Sequence, residues 1–225
     1  MKIADQFYDP LKSFKIVQRT IALICLLIPL LLWIGDTDKH YPPETKPAPV
    51  KCKCVQVADT LAKEEIKRDR LGFRLSISDY AYGRKSHVFA LLYTIAAMMY
   101  IFNWAVYYRS EGKLRVNTAA KHFNLLTGLC LMGVVCAPER SYCYLHYGFA
   151  IGFFLFNGLN IGYSKNTKQR SLRWFSVIVM FSFFFIPSVN SNVTYLWAEW
   201  LALLLIVYYL LRDSSIMKNK YQMEA

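Results

Sequence analysis

Along the 225 residues, apolar positions gather into continuous blocks instead of recurring every third or fourth residue. Blocks of about twenty residues that are apolar all round predict membrane-spanning helices. Six such blocks run over 17–35 (VQRTIALICLLIPLLLWIG), 87–108 (HVFALLYTIAAMMYIFNWAVYY), 122–138, 143–163, 173–189 and 194–211 (TYLWAEWLALLLIVYYLL), each bounded by charge, Pro or Gly. The pattern predicts an all-α fold: a polytopic membrane protein, with residues 1–225 forming a single domain built as a six-transmembrane-helix bundle. The first block follows a basic stretch, as a signal peptide would. No small-x-small cleavage motif stands in the GDTDKHYPPE that follows it, so it reads as a span, kinked at Pro29. Blocks three and five are short and need close neighbours or a thin local bilayer.

A large extracytoplasmic loop is expected over 36–86. Its YPPETKPAP is proline-rich and extended; VADTLAKEEIKRDRLGFRL, with Ala58, Ala62 and Ile66 four apart, reads equally as a surface helix or a charged linker. The other connections are short, so successive helices should be antiparallel neighbours.

Composition agrees with this class, at 55% hydrophobic and 16% aromatic. The net charge of +12 raises nucleic acid as a partner, but the placement of the charge answers it otherwise. With the N-terminus in the cytoplasm, the inner pieces hold fifteen Lys and Arg residues, Arg173 among them, against five acidic ones. The two short outer loops hold Arg140 as their only basic residue. That is the positive-inside bias, with both termini cytoplasmic in a bacterial inner membrane or plasma membrane. The basic surplus then faces anionic lipid heads, and no nucleic acid is expected.

Of six cysteines, Cys25 and Cys130 fall inside spans. Cys52, Cys54, Cys136 and Cys143 fall on the outer side, where an oxidising compartment favours disulfides. A Cys136 to Cys143 bridge would staple a tight outer turn, and Cys52 or Cys54 could instead pair with either; free thiols are the alternative.

The candidate chemistry lies in one layer. Ser78 and Asp79 precede the second span at its outer end, His146 stands a few residues into the fourth, and Glu199 about one and a half turns into the sixth. Ionisable groups within a membrane face a bundle interior or cavity and find one another. His87 and Arg140 can reach the same layer. Asp79, His146, Glu199, Arg140 and His87 are therefore candidates for binding a polar headgroup. Asp79, His146 and Glu199 are also the candidate set for a divalent metal, though no cofactor is required. With Ser78 they are the candidates for acid, base or metal-assisted catalysis. The same residues can equally form a structural network that fixes helix register. Asn103, Asn124, Asn157 and Asn160 are expected to hydrogen-bond between helices. Gly148, Gly152, Gly158 and Gly162 are expected to let helices approach closely.

SISDYAYGRKSHVF, within 74–89, resembles the outer element that opens the second span in the FRAG/DRAM/Sfk family of six-span membrane proteins, most closely its uncharacterised bacterial branch. LHYGFAIGFF (145–154) is similar to that family's His-bearing fourth span, and AEWLALLLIVYYLLRD (198–213) to its closing span. The resemblance implies six spans, cytoplasmic termini, a large first outer loop and recurrence of Ser78, Asp79, His146 and Glu199. A more distant likeness to the CREST membrane hydrolases implies metal-assisted lipid hydrolysis or remodelling, although the paired histidines of their last span are absent here. The expected function is recognition or handling of a lipid or other amphiphile. The rivals are a metal-assisted lipid hydrolase and a structural or signalling subunit acting through a protein partner at its outer loop or cytoplasmic face.

Overall fold

The computed structural model describes residues 10–34, 76–82, 86–109, 122–164, 169–186 and 195–221. Among these residues the chain is all-helical, with no strand. The helices are α1 (Pro10–Ile34), α2 (Ser86–Arg109), α3 (Phe123–Cys136), α4 (Glu139–Gly162), α5 (Arg170–Ser182) and α6 (Tyr195–Tyr221). Two 3-10 turns, Ile77–Tyr82 and Phe183–Phe185, precede α2 and follow α5.

Each apolar block folds as a helix, and the ends differ for local reasons. Helix α1 begins upstream of its block at Pro10, a residue suited to the first helical position because its missing N–H would have no partner there. Helix α6 continues past its block through Arg212 and Met217, residue types with good intrinsic helicity. Helix α5 stops short, where the Ser182 hydroxyl donates to the Val179 carbonyl at 2.7 Å and competes with the helical ladder. By length and composition, two described helices are long and apolar enough to cross a membrane, within Ser86–Val106 and Tyr195–Ser215; Phe123–Cys136 is apolar but shorter.

Helix α1 packs on α2 and α6, α2 on α3, and α3 on α4. Helix α5 packs on α4, and the turn after it touches α6. Gly133 lies against Phe149 and Gly152 against Cys130, while Gly158 faces Met180 and Gly162 faces Trp174. These descending pairings make α3 antiparallel to α4, and α4 antiparallel to α5. The core carries Ile21, Ala96, Ala97, Tyr100, Phe153, Met180 and Ile206.

Among the described glycines, Gly128 on α3 is the one whose nearest neighbour is backbone of another helix. A Cβ there would stand 2.7 Å from the Ala97 carbonyl oxygen and 2.8 Å from Ile101 Cγ1. Of the four α4 glycines expected to make close faces, Gly148 does not, since a Cβ there would meet nothing within 4 Å. Its side of α4 is exposed, as are Tyr144 and Ile151 around it. Gly128→Ala should therefore cost about 1–3 kcal/mol by pushing on backbone that cannot rotate away. Gly148→Ala should leave stability unchanged or slightly raised. Thermal unfolding of the two variants checks this, and equal losses would contradict the assignment.

Candidate functional site

At the end of the bundle where α2, α4 and α6 begin, the Ile77–Tyr82 turn lies across α2 and α6. The Ile77 backbone N–H donates to Glu199 Oε2 at 2.6 Å. This charge-assisted bond anchors the first residue of the turn to α6. Ser78, next in the turn, shares a 2.8 Å hydrogen bond with Ser76. Across from them, His146 is buried on the inner face of α4, and its Nδ1 lies 2.8 Å from the Ala137 carbonyl oxygen. A carbonyl only accepts, so Nδ1 carries a proton and donates it, leaving Nε2 as the ring nitrogen not engaged by that carbonyl.

Ser78, His146 and Glu199 line one cavity of about 50 Å³. The rest of its wall is apolar: Phe89 and Tyr93 from α2, Leu131 and Val134 from α3, Phe153 and Phe154 from α4, and Leu203 from α6. A volume of that size admits a few waters or the tip of a small polar group. The arrangement offers a carboxylate, an imidazole nitrogen and a hydroxyl on an apolar floor. It can hold a hydrogen-bonding or cationic group.

Not every predicted residue joins them. Asp79 sits in the turn and Arg140 in the first turn of α4, but both side chains lie outside the described residues. His87 is exposed near the start of α2 and does not line the cavity. Among the described residues no three His, Cys, Asp or Glu side chains converge as a metal site would require.

The expected Cys136 to Cys143 bridge is corrected by the structure. Cys136, the last residue of α3, is an exposed free thiol, whereas Cys143 is buried, and no disulfide joins them. The turn is closed by backbone instead: Ala137 N–H donates to Gly133 O at 2.9 Å, and Tyr142 N–H to Pro138 O at 2.9 Å. Cys52 and Cys54 lie outside the described residues.

At the opposite end the structure shows a site that charge counting missed. Arg173, read as one of many surface cations, is 0% exposed. It forms an ion pair with Asp213 of α6, with Nη1 to Oδ2 at 3.1 Å and a second bond from Nη2 to Oδ1. Its Nη1 also reaches the Ile161 carbonyl at 3.4 Å, and its Cζ lies 5.0 Å from the centre of the Tyr209 ring. The Tyr209 hydroxyl shares a 2.8 Å bond with Ser176 of α5. This cluster ties α4, α5 and α6 together where packing between α5 and α6 is sparse. The signal was present in the sequence as opposite charges at the adjoining ends of two apolar blocks.

Among the described residues these features define an all-helical fold with a polar cavity at one end and a buried ion pair at the other. The chain belongs to the family of unknown function DUF7103, which it matches over residues 27–214. No curated protein and no solved structure matches it.

Breaking a buried pair strands a charge, which costs about 3–5 kcal/mol, whereas replacing both partners with apolar groups is often neutral. Asp213→Asn should therefore destabilise strongly, and Arg173→Met with Asp213→Leu should recover most of the loss. Denaturant or thermal unfolding of the three forms checks this; a double variant no better than the single would contradict the pairing.

Proposed function

We propose that the protein is a six-span integral membrane protein whose outer-leaflet pocket binds the polar end of a lipid or other amphiphile. The observation that carries the reading is the convergence of His146, Glu199 and Ser78 on one apolar-floored cavity. An amine- or hydroxyl-bearing headgroup suits that set, with the carboxylate attracting positive charge and the imidazole nitrogen accepting a hydrogen bond.

The membrane placement is supported by what the helices leave uncovered. Only 33% of the Ser86–Val106 window and 44% of the Tyr195–Ser215 window is buried, whereas a core helix of a soluble protein is mostly covered. On α2 the exposed residues Leu91, Ile95, Met98 and Phe102 follow helical spacing, and on α6 so do Trp197, Leu201, Leu204, Tyr208 and Leu211. Long apolar stripes of this kind suit contact with lipid. Tyr142, Tyr144, Tyr147, Tyr195 and Trp197 are exposed at the cavity end, consistent with an interfacial aromatic belt. The basic residues of the opposite end fit the positive-inside bias, and the likeness of 74–89, 145–154 and 198–213 to the FRAG/DRAM/Sfk family points the same way.

Native mass spectrometry of the full chain, released from mild detergent, tests the reading. The unsubstituted protein should carry a lipid adduct. His146→Ala and Glu199→Gln, the latter still able to accept from Ile77, should each lower its occupancy severalfold. Full retention in both variants, or no adduct on the unsubstituted chain, would overturn it.

A further inference from the structure

Between α2 and α3, below the cavity, lies a polar layer that direct hydrogen bonds do not complete. Asn103, Asn124 and Thr127 are 0%, 1% and 0% exposed. Gly128 packs on Ala97, Tyr100 and Ile101, while Phe89 and Tyr93 share the cavity wall with Leu131 and Val134, so α2 and α3 run antiparallel. In that register Asn103, one turn beyond Tyr100, comes level with Asn124, one turn before Gly128, and Thr127 stands beside them. Helix α4 supplies the third wall: Asn160 Nδ2 donates to Asn124 Oδ1 at 2.9 Å, and the Tyr100 hydroxyl donates to Asn157 Oδ1 at 3.1 Å.

After those bonds, Asn103 Nδ2 and Oδ1, Asn124 Nδ2 and Thr127 Oγ1 have no protein partner. Buried amides and hydroxyls are paired in folded proteins, with protein or with ordered water. We infer that this seam is an internal hydration site, with ordered water bridging α2 and α3 at Asn103, Asn124 and Thr127. The mixture of donors and acceptors selects the ligand. A cation would use Asn103 Oδ1 and Thr127 Oγ1 but strand the amide N–H groups of Asn103 and Asn124. An anion would use the N–H groups and strand Asn103 Oδ1. Water both donates and accepts, and one or two waters making about three bonds each would satisfy the four atoms. The inference is independent of what the outer cavity binds.

The sign of two substitutions tests it. If water bridges the seam, Thr127→Val and Asn103→Leu each remove a partner and strand the remaining polar atoms, lowering the melting temperature by about 2–4 °C. If the seam is dry, each removes an unpaired buried polar group, and melting stays level or rises. Radiolytic footprinting of the unsubstituted full chain gives a second readout that needs no variant to fold. Radicals formed from bound water should oxidise Tyr100, which is 0% exposed, as well as the exposed Tyr142. Labelling of Tyr142 with Tyr100 unmodified, or both variants melting at or above the unsubstituted chain, would overturn the inference.

Discussion

The bond from the Ile77 N–H to the Glu199 carboxylate is the constraint on which the cavity end depends. A 3-10 turn of six residues has too few internal hydrogen bonds to hold its own position. Glu199 supplies an external anchor on α6, of a strength that hydrogen bonds to charged groups give, about 1.5–3 kcal/mol. With the turn anchored, Ser78 joins His146 on the cavity wall, and Tyr80 becomes part of the core. His146 is fixed in turn by the Ala137 carbonyl, just before α4 begins. Two backbone contacts thus set the position of one side chain and the donating nitrogen of another. The hydrogen bonds that hold this end together also arrange its polar groups around a small space.

The bundle is held at three levels by different means. The cavity end relies on side-chain bonds to backbone. The middle relies on close approach at Gly128, and on Tyr100 with Asn157 and Asn160 with Asn124. The far end relies on Arg173 with Asp213, where a guanidinium buried in apolar surroundings would be intolerable without its carboxylate. Helix α5 takes the least support from packing and has the buried Arg173 in its first turn. The ion pair therefore adds a polar tie to the apolar packing that Val177 and Met180 give α5.

Much of this was legible in the sequence. Continuous apolar blocks located all six helices because a helix that is apolar all round needs no partner pattern to be recognised. Ser78, Asp79, His146 and Glu199 were grouped by counting residues from the block ends, since depth along a helix follows directly from its rise. Ser78, His146 and Glu199 line the cavity, and the Asp79 side chain lies outside the described residues. Rotation about the axis does not follow from depth. Block edges could not show that Arg173 faces inward or that Gly148 faces outward, and an evenly apolar helix carries little sign of which side is covered. The pairing of Cys136 with Cys143 failed for the same reason, because neighbours in a short turn can point in opposite directions. The bond from Ile77 to Glu199 joins positions 122 apart and involves a backbone N–H, which leaves no trace in residue types.

An experimental structure of the full chain in lipid bilayer discs, at a resolution that shows headgroups, tests the central claim most directly. The expected result is a lipid or amphiphile headgroup in the cavity, contacting Glu199 and the Nε2 of His146, with its tail along the exposed face of the helices. A cavity closed by a direct bond between Glu199 and His146, with the Ile77 anchor intact and no headgroup, would contradict it.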